Sequence, residues 1–152
     1  MTDPTTNPTG TADALVLDQH VAAPVDTVFD HLVDPERVLR WLGTAIDIDP
    51  RPGGRFWMNA NGSDTAAGTY AEIERPHRVV FSFGWEGSTE VPPGSTTVTI
   101  TLEAQTDGTT MVRLRHDGLP GGAGDPHREG WTYFLGRLAE AGAGNDPGPV
   151  TH

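Results

Sequence analysis

One feature constrains the fold of this chain more than any other: the spacing of its apolar residues changes between two regular patterns. From Ala45 to His116 apolar and polar residues alternate, and turn-forming residues interrupt the alternation at intervals. Alternation of this kind is typical of antiparallel strands joined in a meander. Before and after this region the spacing is helical, so the chain is predicted to adopt an α+β fold.

A strand and two short helices are predicted to precede the meander. ALVLDQHVAA alternates well enough for a strand, and the apolar residues of PVDTVFDHLV recur at helical spacing. Asp34 and Pro35 are a favourable N-cap and first helical residue, and they predict a second helix that ends near Leu42. The Asp-Pro pair at 125–126 repeats this signal, so a long final helix is predicted from there to about Ala141.

The last hairpin of the meander can be aligned residue by residue. A three-residue loop at 106–108, with Gly108 in the left-handed conformation of a bulge, fits the apolar pattern on both sides. This register places the apolar residues on one face, together with His116. The predicted pairs are Leu102 with Val112, Ile100 with Leu114 and Val98 with His116.

The inward faces of the sheet and of the final helix are rich in aromatic residues. One long helix that crosses a curved sheet leaves a cavity unless large side chains fill it. These side chains are therefore predicted either to fill the core or to line an apolar pocket of the usual ~300 to 1,000 Å³. The candidate ligand-binding residues are Trp41 near the mouth and, as walls, Phe56, Met58, Phe81, Phe83, Trp85, Ile100, Leu114, Trp131 and Phe134.

Two histidines and a glycine stand out among these apolar residues. His116 and His127 are both predicted to face inward near one end of the final helix, where a neutral imidazole can orient a polar ligand atom or act as a general base. They are the candidate ligand-binding and catalytic histidines, and the alternative is that each bonds only to backbone. Gly130 costs roughly 1 kcal/mol relative to alanine in a helix interior, which predicts close approach by a neighbouring strand or by a ligand.

The composition excludes several classes of function. The net charge is -11 and lysine is absent, so nucleic acids and anionic membranes, which require a basic face, are not expected as partners. Cysteine is also absent and the histidines follow no metal-binding spacing, so neither a metal site nor another cofactor is predicted. Asp47 and Asp49 share one face of a strand, with Ile46 and Ile48 on the other, which favours solvent exposure over a glycosidase-type acid pair.

The two ends of the chain differ from the region between them. Residues 1–13 are polar and rich in proline and threonine, without the apolar segment of a signal peptide or membrane anchor. We therefore expect a cytoplasmic protein with one ligand-binding domain over residues 14–141 and disordered segments at 1–13 and 142–152. The sequence favours neither a monomer nor a dimer.

Several weak motifs occur in an order that is more specific than any of them alone. They are VAAPVDTVFDHLVDPERVLRWL, the glycine-rich PGGRFWM, GTYAEIERPHRVVFSFGW, TTVTITLEAQTDGTTMVRLRHDGLP and DPHREGWTYFLGRLAE. Over about Leu15 to Ala141 this pattern resembles the START-like, or SRPBCC, superfamily. Within it, the pattern is most similar to the bacterial branch that resembles the C-terminal domain of the heat-shock-protein ATPase activator.

The resemblance implies a helix-grip fold, in which about seven antiparallel strands curve around a long C-terminal helix and an apolar cavity. Members of the superfamily include lipid and hormone carriers, polyketide aromatase/cyclases and self-resistance proteins against polyketide-derived toxins. No catalytic residues common to the family can be transferred to this chain. The main prediction is therefore non-catalytic binding of a small hydrophobic or aromatic ligand, lipid-like or polyketide-like. The alternatives are a polyketide cyclase or dehydratase that uses a cavity histidine as base, and a co-chaperone-like interaction domain.

Overall fold

The chain forms a seven-stranded antiparallel sheet that curls around one long helix. The computed structural model describes residues 14–150. The strands are β1 (Leu15–Val21), β2 (Ala45–Ile46), β3 (Arg55–Asn59), β4 (Thr65–Glu74), β5 (Arg78–Phe83), β6 (Thr96–Ala104) and β7 (Thr110–Asp117). Their order across the sheet is β1-β7-β6-β5-β4-β3-β2, so β1 and β7 are the one neighbouring pair that is distant in the chain. The predicted α+β helix-grip fold is confirmed.

Three helices pack together on the inner side of this sheet. They are α1 (Val25–Val33), α2 (Pro35–Trp41) and α3 (Gly124–Gly142). The side chain of Asp34 accepts a hydrogen bond from the amide of Glu36 at 3.1 Å, and Pro35 is the first residue of α2. The predicted cap between the two short helices is therefore confirmed.

The start of α3 differs from the prediction. The helix begins at Gly124, with Ala123 as its N-cap, and no side chain caps it. Asp125 lies in the first turn instead of at the N-cap, where its charge still favours the positive end of the helix. The Asp-Pro signal identified the helix but misplaced its first residue, because Pro126 is tolerated throughout the first turn, where amide N–H groups have no partner within the helix.

The β6–β7 hairpin has the predicted register. Gly108 adopts a φ of 86°, which supplies the left-handed residue that the loop at 106–108 requires. His116 lies on the apolar face of β7 and is fully buried, at 0% exposure. The observed pairs include Leu102 with Val112, Ile100 with Leu114 and Val98 with His116.

The strand predicted at AIDIDP is shorter than its pattern suggested. Regular pairing covers Ala45–Ile46, although the amides of Asp47 and Asp49 still donate to carbonyl oxygens of β3. Both carboxylates lie at the surface and form ion pairs, Asp47 with Arg55 at 3.6 Å and Asp49 with Arg51 at 2.8 Å. Their predicted orientation toward solvent is confirmed.

Residues 142–150 lie against the final helix. Gly142 ends α3, and the Arg137 guanidinium donates to the carbonyl oxygens of residues 147, 148 and 149 at distances of 2.8–3.4 Å. These contacts were not predictable from the sequence, because a backbone carbonyl accepts hydrogen bonds whatever its side chain and leaves no pattern in the sequence. The predicted disordered segment 1–13 and residues 151–152 lie outside the described residues.

Candidate functional site

The predicted lining residues separate into a packed group and an open group. The packed group, which surrounds only about 10 Å³ of free space, includes Trp41, Phe56, Phe81 and Ile100. Phe56 and Phe81 are stacked with their ring centroids 4.2 Å apart. Leu114 and His116 are fully buried at 0% exposure and border neither this space nor the larger cavity described next. This part of the predicted pocket is therefore hydrophobic core.

A cavity of about 340 Å³ remains between the first half of α3 and the neighbouring end of the sheet. Its volume is at the small end of the range of roughly 300 to 1,000 Å³ that ligand pockets occupy. The predicted residues that line it are Met58, Phe83, Trp85, His127, Trp131 and Phe134. It is also lined by Gly130 and by four residues that the sequence analysis did not assign to a site, namely Ala60, Asn61, Asp64 and Pro126.

Three segments of the chain converge on this cavity. The helix α3 contributes residues 126–127, 130–131 and 134, which share one face because they lie about one turn apart. Pairing of β3 with β4 brings the turn between them to the same place. The third segment is the end of β5 with Trp85, which forms an isolated bridge with Ala66 of β4. No local motif marks the site, because it is assembled from elements far apart in the chain.

His127 receives a hydrogen bond from the indole of Trp85. The Trp85 Nε1–H group donates to Nε2 of His127 at 2.9 Å, and Nδ1 of His127 lies 2.7 Å from the carbonyl oxygen of Ala123. A carbonyl oxygen only accepts, so the neutral ring carries its proton on Nδ1. Both nitrogens of His127 are therefore occupied.

His116 is held in the same way by a second tryptophan. The Trp131 Nε1–H group donates to Nδ1 of His116 at 3.0 Å. The proton of the neutral ring is then on Nε2, which donates to Oγ1 of Thr96 at 2.8 Å, while the Thr96 hydroxyl donates to the carbonyl oxygen of Phe83 at 2.7 Å. Burial, together with the nearby His127 ring, lowers the pKa of His116 to about 3.

The two imidazoles lie close together, but neither offers a free nitrogen to the cavity. Their ring centroids are 5.4 Å apart with perpendicular planes, and His127 lines the cavity whereas His116 does not. A histidine that acts as a general base needs an unpaired nitrogen within reach of the proton that it removes. A catalytic role for either histidine stays a prediction, and it would require the ring to give up the N–H group of a tryptophan. The observed bonds instead fix the orientation of both indoles.

The polar groups of the cavity lie at its rim, in the turn between β3 and β4. Oδ1 of Asn61 accepts hydrogen bonds from the amides of Ser63 and Asp64, and Nδ2 of Asn61 donates to Oδ2 of Asp64 at 2.9 Å. Among the described residues that line the cavity, Asp64 alone carries a formal charge at neutral pH. Asn61, Gly62 and Asp64 are turn-forming residue types, but turn chemistry does not reveal which surface the turn faces.

Gly130 forms part of the cavity wall. A methyl group added there would meet no atom within 4 Å apart from its chain neighbours and the backbone of its own helix. The prediction that a neighbouring strand approaches Gly130 is therefore wrong. Close approach occurs at Gly142 instead, where an added methyl would lie 2.6 Å from Cγ1 of Val21. Close approach of a ligand to Gly130 stays a prediction.

A larger depression, of about 660 Å³, lies between α2 and residues 144–150. No aromatic side chain of the described residues lines it. Its one buried charged group, the Arg137 guanidinium, already donates to the carbonyl oxygens of Arg40 and Trp41 as well as to those of residues 147–149. We therefore assign the candidate site to the aromatic cavity, which has both concave apolar walls and polar groups at its edge.

Residues 14–150 contain neither a metal-binding cluster nor a membrane-spanning helix. No group of three or more histidine, aspartate or glutamate side chains is arranged to hold a metal ion. In the same range, no helix is both long enough and apolar enough to cross a membrane.

The family model of the activator of Hsp90 ATPase homolog 1-like proteins (AHSA1) matches residues 22–143, which include the whole lining of the cavity. The chain belongs to this family. The resemblance to the AHSA1-like branch of the SRPBCC superfamily is thereby confirmed. No curated protein matches the chain.

Solved structures of other AHSA1-like and related proteins are similar to this chain. An AHSA1-like protein from Rhizobium etli is 44% identical, with a TM-score of 0.70 over 93% of this chain and 89% of that one. CalU16 from Micromonospora echinospora is 27% identical, with a TM-score of 0.71 over 86% of this chain and 76% of CalU16. DynU16, a protein of the dynemicin biosynthetic locus, is 26% identical with a TM-score of 0.76 over 89% of this chain, which spans only 49% of DynU16.

Proposed function

We propose that this AHSA1-like protein binds a small hydrophobic ligand that contains an aromatic group, in the cavity between α3 and the sheet. The proposal depends above all on one observation: a cavity of about 340 Å³, walled by Phe83, Trp85, Trp131 and Phe134, lies beside a core that is otherwise tightly packed. A helix-grip fold of the AHSA1 family is compatible both with ligand binding and with Hsp90 activator-like roles.

The walls are held in position by contacts within the protein. The ring of Phe83 lies 5.3 Å from that of Trp85 and 5.7 Å from that of Trp131, measured between centroids. Each indole is also tied to a histidine by its N–H group. A pocket that is already ordered loses little side-chain entropy when a ligand enters, so more of the contact energy is available for affinity.

The expected affinity for a simple aromatic probe is weak. An aromatic group that buries about 200 Å² of apolar surface contributes about 5 kcal/mol at roughly 25 cal/mol per Å². The cost of association offsets part of this gain. Because 5 kcal/mol corresponds to a dissociation constant of about 0.2 mM, a simple aromatic probe should bind with a dissociation constant of roughly 0.2 mM to a few millimolar.

Two alternatives have less support. A cyclase or dehydratase would need a cavity histidine with a free nitrogen, whereas both nitrogens of His116 and of His127 are occupied. A co-chaperone-like role would act through the outer surface of the protein, and it is supported by the name of the family alone.

Binding can be tested with naphthylmethanol, a neutral probe, titrated into isotopically labelled protein and followed by NMR. We expect saturable shifts of the amides of Ala60 and Gly130 and of the indole N–H of Trp131, with little change at Ile100 in the packed group. The melting temperature should rise with probe concentration. Shifts that do not saturate, or that are confined to residues 144–150, would exclude the cavity as the binding site.

A further inference from the structure

The side chains that line the cavity have few hydrogen-bond donors left for a ligand. The indole N–H of Trp85 and the Nδ1–H of His127 already have acceptors within the protein. The indole N–H of Trp131 donates to a buried imidazole, and the Asn61 amide is turned toward Asp64. Among the lining side chains that the structure describes, only the second N–H of the Asn61 amide is unused.

Acceptors are present at the same place. Oδ2 of Asp64 accepts from Asn61, while Oδ1 has no partner among residues 14–150. The faces of the aromatic walls carry the negative side of the ring quadrupole and attract cations. No arginine lines the cavity, and the chain as a whole has a net charge of -11.

From this combination we infer that the cavity selects a ligand with a protonated amine attached to its apolar or aromatic body, the ammonium group lying near Asp64 and against the aromatic walls. The inference rests on the proposed function and specifies the chemical class of its ligand. A carboxylate in the same position would face Asp64 without a cation to pair with. A neutral ligand such as an alcohol could donate to Oδ1 of Asp64, but it would lack the positive charge that both the carboxylate and the aromatic faces attract.

The two interactions contribute different amounts. An ammonium group against a tryptophan or phenylalanine face favours the cation by about 2- to 30-fold, depending on how far it is desolvated. Asp64 is exposed, so its ion pair with the ligand is partly screened and adds a factor of about 2 to 5. Together they predict a preference for the amine of about 4- to 150-fold over the matched alcohol.

Three probes with the same naphthyl group test the inference: naphthylmethylamine, which is protonated at pH 7, naphthylmethanol and naphthoate. Isothermal titration calorimetry at low salt should give the lowest dissociation constant for the amine and the highest for naphthoate. Asp64→Asn should weaken the amine by about 2- to 5-fold and leave the alcohol unchanged. Glu103→Gln removes the same charge from an exposed position at the far end of β6, so it should change neither.

The outcomes separate the inference from the proposed function. Equal affinities for amine and alcohol would overturn the inference while leaving ligand binding in place. An equal loss of amine affinity in Asp64→Asn and Glu103→Gln would also overturn it, because the preference would then come from the overall charge of the protein. Failure of all three probes to bind would count against the cavity as a ligand site, and the inference would fall with it.

Discussion

Replacement of Gly130 by alanine should stabilise the fold and weaken ligand binding in the same variant. Gly130 lies inside α3, where glycine costs roughly 0.5 to 1 kcal/mol relative to alanine because the unfolded chain loses more freedom. The new methyl group would point into open space, with no atom within 4 Å apart from its chain neighbours and its own helix backbone. The gain in helix stability should therefore not be offset by a clash.

The size of both effects follows from the structure. For a domain of this length, 0.5 to 1 kcal/mol corresponds to a rise in melting temperature of about 1–4 °C. A bound ligand, in contrast, must share the cavity of about 340 Å³ with the added methyl. An overpacked contact costs about 1–3 kcal/mol, which weakens a ligand that touches this wall by roughly 5- to 150-fold.

Gly136 provides the matched control. It lies in the same helix, its added methyl also meets nothing within 4 Å, and it does not line the cavity. Gly136→Ala should raise the melting temperature by a similar amount and leave the dissociation constant of naphthylmethanol unchanged. The melting temperature is measured by calorimetric scanning and the affinity by titration calorimetry on the same samples.

Two results would refute this reasoning. A lower melting temperature for Gly130→Ala alone would mean that the space beside Gly130 is filled in solution. Equal affinities of the two variants for naphthylmethanol would mean that the ligand does not contact this part of α3.

Three further predictions concern stability. His116→Gln should flatten the pH dependence of unfolding. Burial lowers the pKa of His116 to about 3 from 6.5, so the unfolded wild-type chain binds a proton that the folded protein does not. The free energy of unfolding of the wild type should therefore fall by about 1.4 kcal/mol per pH unit as the pH drops from about 6 to 4. Parallel denaturant-derived curves for the two proteins would contradict this. Arg137→Met should lower the free energy of unfolding by about 2–3 kcal/mol, because buried and partly buried carbonyl oxygens lose a charged donor. Arg37→Met removes a partly exposed side chain that pairs with Asp34 on the same helix turn, and it should cost at most about 0.5 kcal/mol; equal costs would refute the role of Arg137. Gly142→Ala should cost about 1–3 kcal/mol, since its methyl would lie 2.6 Å from Val21; an unchanged melting temperature would show that the end of α3 can move away.

Most of the secondary structure was predictable because it depends on local chemistry. Asp34 followed by Pro35 has the same capping preference in almost any surrounding structure. The β6–β7 register followed from a loop at 106–108 that permits one alignment of the apolar residues. The start of α3 was less certain from sequence, because the N-cap residue Ala123 contributes no side-chain hydrogen bond.

The candidate site was predictable only in part. Alternation placed Phe81 and Phe83 on the same face of one strand, and both are buried there. Alternation did not distinguish their roles: Phe81 stacks on Phe56 in the packed core, whereas Phe83 borders the cavity. The two histidines were also predictable only in part. Their inward direction followed from the sequence, but their hydrogen bonds to tryptophans elsewhere in the chain did not.

The sequence by itself determined the order of helices and strands and the inward direction of residues such as Phe83 and His116. The absence of lysine and cysteine also excluded the chemistry that needs those side chains. Only the tertiary structure decided that free space remains beside Gly130 and Asp64 and not beside Trp41. The direction of a side chain is a property of its own strand or helix. A cavity is the difference between the volume that several elements enclose and the volume that their side chains fill, and neither volume is defined until those elements have packed together.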